Sequence, residues 1–217
     1  MCYLLCAVFF VTVIGTQMSY ASAAELFNSS ICYYWAYNST HSVTVTWVNL
    51  NLPYNSTGPT YSDAYNGMDM WRYTQGYIPQ FGIYLTNSST IPSTGWVTHG
   101  IPTSDFWNIN VNGGLSDTTI AFTFCYLPYE SSPVNESTTG NNGTGIVYAS
   151  IYYTPDYNLW SGNNWTSVAA HEFGHVLGFG HPLSTDLYYY PEGSIMVQGV
   201  NYTSIKLYDI VCFDVKY

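Results

Sequence analysis

Three histidines and a glutamate lie close together in this chain, in a pattern typical of a catalytic metal site. They are His171, Glu172, His175 and His181, within the segment HEFGHVLGFGH. Residues four apart lie on one face of an α-helix, so His171 and His175 can point their imidazole nitrogens at one metal ion. Glu172 follows the first ligand and lies beside the metal, which leaves its carboxylate free to take a proton from a metal-activated water.

Gly178 explains how a third histidine reaches the same ion. A helix that continued past this residue would carry His181 out of range along its axis. Glycine readily adopts a positive φ, so we expect the chain to leave the helix at Gly178 and turn back, with Gly180 adding further freedom. Three histidines with one open position form the ligand set of a catalytic zinc rather than a structural one. Histidines that are merely buried in a helix are the competing interpretation, and that interpretation does not explain the added glycine and third histidine.

Composition fits a folded domain that does not bind nucleic acid. The chain has 217 residues, of which 47% are hydrophobic and 7% charged, with a net charge of −10. The hydrophobic fraction permits a sizeable core. The fixed cations are Arg72, Lys206 and Lys216, so there is no basic patch to neutralise phosphates or to hold the chain on an anionic membrane. Neither nucleic acid nor a stable membrane partner is expected, and nothing in the sequence indicates an oligomeric state.

The start of the chain predicts export. Residues 3–15 are an apolar run, and small residues follow at 21–24, which is typical of a signal peptide over residues 1–24. No Lys or Arg precedes the run, so an uncleaved anchor stays open as an alternative. Eight glycosylation sequons also favour a secreted protein or one on the extracellular surface: Asn28, Asn38, Asn55, Asn87, Asn135, Asn142, Asn164 and Asn201.

Hydrophobic periodicity predicts a mixture of strands and helices, and therefore an α+β fold. The predicted strands are 42–49, 81–85, 118–125 and 145–153, the predicted helices 61–75, 167–178 and 204–216, and a polar loop covers 131–144. Thr166 or Ser167 is the expected cap of the second of these helices. Residues 145–153 fit either a core strand or an edge strand that binds substrate.

The segment HEFGHVLGFGH resembles the long zinc signature of the metzincin metalloendopeptidases, and residues 168–170 before it are similar to the matrixin-like branch. In that family a tight turn places a methionine beneath the metal, and Met196 stands at a suitable distance. Residues 207–211 are similar to the closing helix of matrixins. The likeness covers roughly residues 145–217; upstream, only the order of strands and one helix agrees. Gln198 stands where some members carry a tyrosine ligand, so such a ligand is not expected.

The resemblance implies a fold and a domain plan. The fold would be a metzincin-like zincin fold with an N-terminal mixed sheet, an active-site helix and a small C-terminal subdomain from about residue 178. These parts would make up a catalytic domain over residues 25–217. In the resembled fold the N-terminal segment lies near the closing helix, which suggests a disulfide between Cys32 and Cys212 and leaves Cys125 in its strand.

The function implied is a secreted zinc-dependent endopeptidase that acts on polypeptides. Zn²⁺ would be held by His171, His175 and His181, with Glu172 as the catalytic base that serves the metal-activated water. Extended substrate would pair with the edge strand by main-chain hydrogen bonds. Two alternatives remain: a zinc-binding pseudoenzyme or cell-surface glycoprotein with the same fold, and a hydrolase of non-peptide amides.

Overall fold

The computed structural model describes residues 42–72, 82–88, 90, 95–110, 118–126, 148–182, 192–199 and 202–216. The predicted signal peptide, the predicted loop at 131–144 and Cys32 lie outside these residues, so the export signal and the Cys32–Cys212 disulfide stay predictions. Cys212 itself is fully buried in the core. Within the described residues, no helix is long and apolar enough to cross a bilayer.

Strands and helices occur together in the described part of the chain, and the predicted α+β class is confirmed. The strands are β1 (Ser42–Asn49), β2 (Gly82–Ser88), β3 (Trp96–Gly100), β4 (Ala121–Tyr126) and β5 (Tyr148–Tyr153). The helices are α1 (Tyr61–Arg72), α2 (Ser104–Asn110), α3 (Trp165–Val176) and α4 (Leu207–Lys216), with a 3₁₀ turn at Tyr157–Leu159.

The five strands form one mixed sheet in the order β2-β1-β3-β5-β4. Parallel pairing joins β2, β1, β3 and β5, whereas β4 runs antiparallel to β5. For the described part of the predicted strand at 145–153, which is β5, the edge-strand interpretation is therefore wrong and the core-strand interpretation is correct. β5 has a neighbour on each side, and its Ala149, Ile151 and Tyr153 are almost fully buried. The edge on this side of the sheet is β4.

Helix α1 confirms the predicted amphipathic pattern, because Ala64, Met68 and Trp71 are its buried side chains. The predicted cap of α3 is wrong. Asn164 is the N-cap, and its side chain accepts a hydrogen bond from the Ser167 amide. The hydroxyl of Thr166 instead donates to Asp63 on α1 at 2.8 Å, a contact between elements that local sequence does not indicate.

Helix α4 begins three residues later than predicted, at Leu207 rather than at 204. The amide of Lys206, just before it, donates to the Asp209 carboxylate at 2.8 Å. A carboxylate in the first turn of a helix satisfies an amide that has no partner within the helix, which accounts for the later start.

Helices α1 and α3 pack in close contact, and this contact positions α3 over the sheet. A Cβ atom at Gly67 would lie 2.6 Å from both the Ala169 Cβ and the Ala170 amide nitrogen, so only glycine permits this approach. The indole of Trp71 donates to the Ala170 carbonyl at 2.7 Å and stacks on Phe179 with ring centroids 5.3 Å apart. The backbone beside His171 is thus held by its contact with α1.

Candidate metal centre

Helix α3 and the chain that follows it bring three histidines together. His171 and His175 lie one turn apart on α3, and their ring centroids are 4.9 Å apart. The helix ends at Val176, before the predicted end at residue 178, whereas the positive φ predicted for Gly178 is confirmed at +79°. The returning chain carries His181 to 5.1 Å from the ring of His171 and 4.9 Å from that of His175.

The nitrogens of these rings form a group that can hold a metal ion. One nitrogen from each of His171, His175 and His181 lies within 4.8 Å of the other two. The Nε2 atoms of His171 and His181 are 3.1 Å apart. A tetrahedral zinc with Zn–N bonds of about 2.0–2.1 Å would separate its ligand nitrogens by about 3.3 Å, which is close to the spacing of this pair.

Backbone carbonyls orient two of the three rings. Nδ1 of His171 donates to the Ile195 carbonyl at 2.8 Å, and Nδ1 of His175 donates to the Phe179 carbonyl at 2.7 Å. A carbonyl oxygen only accepts hydrogen bonds, so Nδ1 carries the hydrogen in both rings. The lone pair of each neutral ring is therefore on Nε2, where a metal ligand needs it. This outer hydrogen bond is typical of metal-binding histidines.

Partial burial favours the uncharged form of two of these histidines, His171 and His175. It lowers the pKa of His171 to about 4, opposed by the hydrogen bond to Ile195 and assisted by the neighbouring His181. Burial also lowers the pKa of His175 well below its usual value, with smaller contributions from His171 and His181 in the same direction. Metal ligation requires neutral imidazole, so zinc would meet little competition from protons near neutral pH.

Glu172 lies beside the histidine cluster and outside it. Among the described residues, the group able to hold a metal contains the three histidines without this carboxylate. Oε2 of Glu172 accepts a hydrogen bond from the Thr123 hydroxyl on β4 at 2.6 Å. Burial raises the pKa of Glu172 to about 7, although the bond from Thr123 acts in the opposite direction. A carboxyl with this pKa is suited to exchange protons near neutral pH.

A buried turn at residues 193–196 packs beneath the centre of α3. Met196 is fully buried, and a Cβ atom at Gly174 would lie 2.2 Å from its sulfur. Gly174 stands between His171 and His175 in the sequence, so Met196 packs against the turn of helix that carries both histidines. The position of Met196 beneath a metal stays a prediction.

The same turn is bound to α4 through Asp209. This carboxylate, 1% exposed, accepts hydrogen bonds from the Ser194 hydroxyl and from the Ile195 amide at 2.9 Å. Burial raises the pKa of Asp209 to about 6, against the opposing effect of these bonds. Because the Ile195 carbonyl orients His171, the network connects α4 to the histidine cluster.

No protein-family model matches the chain, and no curated protein matches it in sequence. Among solved structures, the fold is similar to that of high choriolytic enzyme 1, a hatching enzyme zinc-protease from Oryzias latipes (Medaka fish). The two share 12% identity over 84% of this chain and 92% of that one, with a TM-score of 0.42. A likeness of this extent identifies neither a family nor an activity.

Two residues of the site were missed from the sequence, Thr123 and Asp209. Thr123 carried a weak signal, since it alternates with Phe122 and Phe124 in a strand and so faces the opposite side of the sheet. Asp209 carried a stronger signal. It is an acidic residue that adjoins Tyr208 and precedes Cys212 on the buried side of a short apolar helix, and buried carboxylates are rarely without a structural or chemical role.

Proposed function

We propose that this protein is a secreted zinc-dependent endopeptidase of the metzincin type, similar to the matrixin-like branch. His171, His175 and His181 hold the zinc, and Glu172 is the catalytic base. One observation carries the proposal: three histidine nitrogens converge within 4.8 Å, next to a buried carboxyl that is not part of their cluster. A merely structural histidine cluster would not need this neighbour.

Each residue of the site has a distinct task in amide hydrolysis. When bound, zinc supplies a Lewis acid that polarises the scissile carbonyl and lowers the pKa of water toward ~7. Glu172 accepts a proton from the attacking water at its carboxylate and passes it to the leaving nitrogen. The Ile195 and Phe179 carbonyls hold the rings of His171 and His175 with the hydrogen on Nδ1, so that Nε2 carries the lone pair that a metal ligand needs.

Polypeptide substrate binds along β4 in this proposal, rather than along residues 145–153. Among the described strands, β4 has a partner on one side only. An extended peptide adds to such an edge through main-chain hydrogen bonds. Thr123 on this strand touches Glu172, so a peptide paired with β4 lies near the base.

The wider assignments follow from the sequence. Residues 1–24 are a cleaved signal peptide, and residues 25–217 are the catalytic domain, with a small C-terminal subdomain from about residue 178. Secretion accords with the apolar start and the sequons. The net charge of −10 accords with a protein that acts on polypeptides and not on nucleic acid.

Glu172→Gln tests the proposal, with the same substitution at the exposed Glu192 as the matched control. The purified secreted protein is analysed for zinc and for hydrolysis of casein. Glutamine keeps the size of the side chain and removes the base, so we expect Glu172→Gln to retain zinc while hydrolysis falls by about 10²–10⁴-fold. Glu192→Gln should retain both zinc and activity.

The other outcomes select among the alternatives. Full hydrolysis by Glu172→Gln would show that Glu172 is not the base. A parent protein that binds zinc and cleaves no polypeptide would favour the pseudoenzyme or cell-surface glycoprotein. Cleavage of small amides without cleavage of polypeptides would favour the non-peptide hydrolase.

A further inference from the structure

Thr123 on the edge strand β4 makes the contact between the sheet and the Glu172 side chain. Its hydroxyl oxygen lies 2.6 Å from Oε2 of Glu172 and 3.1 Å from the Glu172 carbonyl oxygen. A hydroxyl has one hydrogen to donate, and the shorter contact assigns it to the carboxylate. Its register partner on β5 is Ile151, which is fully buried, so the backbone of Thr123 is firmly placed.

This bond restricts the direction of the carboxylate. Glu172 is 6% exposed, and among the described residues Thr123 is its side chain's hydrogen-bond donor. Hydrogen bonds to an ionised acceptor are about twice as strong as neutral ones. With Oε2 engaged, the second oxygen, Oε1, is the one available to a water molecule.

We propose that Thr123 is a positioning residue for Glu172: it holds Oε2 so that Oε1 takes the proton from the attacking water. This inference rests on the proposed function, because it needs Glu172 to be the base. The same strand is the proposed platform for the peptide substrate. Thr123 would thus hold the carboxylate of Glu172 in a fixed direction relative to β4, the strand along which the substrate is proposed to bind.

A purely structural role for Thr123 makes a different prediction. The hydroxyl would then only join β4 to α3, as the Cys125 thiol also does through its contact with the His175 carbonyl at 3.6 Å. Loss of a structural bond lowers the free energy of unfolding and leaves kcat intact. Loss of a positioning bond lowers kcat with little change in KM, because substrate binding along the strand is preserved.

Three variants of the full secreted protein separate these roles: Thr123→Val, Thr123→Ser and Thr98→Val. Valine matches threonine in shape and removes the hydroxyl, whereas serine keeps it. Thr98 is the matched control, since its buried hydroxyl bonds to Ser150 at 3.0 Å on the other face of the sheet, away from Glu172. For each variant, kcat and KM on a peptide substrate and the thermal midpoint of the metal-free protein are measured.

We expect Thr123→Val to lower kcat by about 10–100-fold with KM changed by less than about twofold, as for other residues that orient a catalytic group. Thr123→Ser should restore most of kcat. Thr98→Val should lower the thermal midpoint and leave kcat unchanged. If Thr123→Val does not fold, Thr123→Ala is compared with Thr123→Ser in its place.

Three results would overturn the inference: an unchanged kcat in Thr123→Val, a Thr123→Ser variant as slow as the valine variant, or a loss of kcat in Thr98→Val as large as at Thr123. If Glu172→Gln abolishes hydrolysis while Thr123→Val does not, this inference alone fails. If Glu172→Gln remains active, or the parent cleaves nothing, the proposed function fails and the inference fails with it.

Discussion

A fully buried histidine, His99, and the partly buried histidines of the site differ in their surroundings. His99 on β3 is fully buried, and burial lowers its pKa to about 3. Its Nδ1 lies 3.0 Å from the Tyr153 hydroxyl, and its Nε2 has no hydrogen-bond partner among the described residues. His171 is only partly exposed, and burial lowers its pKa to about 4, but its ring faces two other imidazoles.

The difference shows that burial alone does not make a metal site. Burial is sufficient to keep an imidazole neutral, and it does so for His99 as for His171. A metal site requires in addition that several lone pairs converge and that each tautomer is fixed. The carbonyls of Ile195 and Phe179 fix two tautomers in the cluster, whereas His99 contacts a phenol that both donates and accepts.

The largest expected effect is on zinc affinity, and it comes from His181→Ala with His99→Gln as the control. Removal of one of three protein ligands should weaken zinc binding by at least about 100-fold, since even outer hydrogen-bond partners contribute 10–100-fold. His99→Gln should bind zinc as the parent does. Competition with a chelator of known affinity measures both. Equal affinity in His181→Ala and the parent would refute the three-histidine site.

A smaller effect is expected at Asp209, which holds the turn behind the cluster. Asp209→Asn replaces an acceptor oxygen by an amide donor that faces the donors of Ser194, Ile195 and Lys206. One of these groups is then left without an acceptor, at a cost of about 1–3 kcal/mol in the free energy of unfolding. Chemical denaturation of the metal-free protein measures the change.

The Asp209→Asn variant is also tested for zinc binding, because Asp209 is connected to the histidine cluster. The Ile195 carbonyl binds His171, so Asp209→Asn should also weaken zinc binding, by about tenfold and thus less than His181→Ala. Asp105→Asn, at an exposed position on α2, is the matched control and should change neither quantity. A stable Asp209→Asn variant with normal zinc affinity would show that the turn holds its shape without the carboxylate.

The sequence predicted those features that depend on spacing along the chain. Helix α1 follows from the period of Ala64, Met68 and Trp71, and the exit at Gly178 follows from the need of a positive φ. The convergence of the three histidines could be predicted because it depends only on α3 and the turn at Gly178, which lie close together in the sequence.

Features that depend on contacts between residues far apart in the sequence could not be predicted in this way. The hydrophobic run of β5 is compatible with an edge or a central strand, and pairing with β3 and β4 decides between them. Thr123 meets Glu172 across 49 residues of sequence. Asp209 meets Ser194 across 15. Neither polar contact leaves a periodic pattern, because each depends on how separate elements pack.

At neutral pH the smallest expected effect is that of His99, whose contribution to stability changes with pH only below about 6.5. Its pKa is about 3 in the folded protein against 6.5 for an ordinary histidine, so the unfolded chain binds a proton more readily. Stability from this group is therefore fully present above pH 6.5 and is lost as pH falls from there toward about 3. The loss reaches at most about 1.4 kcal/mol per pH unit, which corresponds to one proton.

Unfolding of the metal-free parent and of metal-free His99→Gln, each measured across this pH range, isolates that contribution. The other buried groups, including Glu172 and Asp209, titrate in both proteins, so their effects cancel in the difference. We expect the free energy of unfolding to fall less steeply with decreasing pH in His99→Gln, by up to one proton in slope. Parallel curves would mean that His99 is protonated equally in the folded and unfolded chains. Burial would then not be what keeps this imidazole neutral. The conclusion that His99 and the site histidines are both neutral through burial, and differ only in their neighbours, would be wrong.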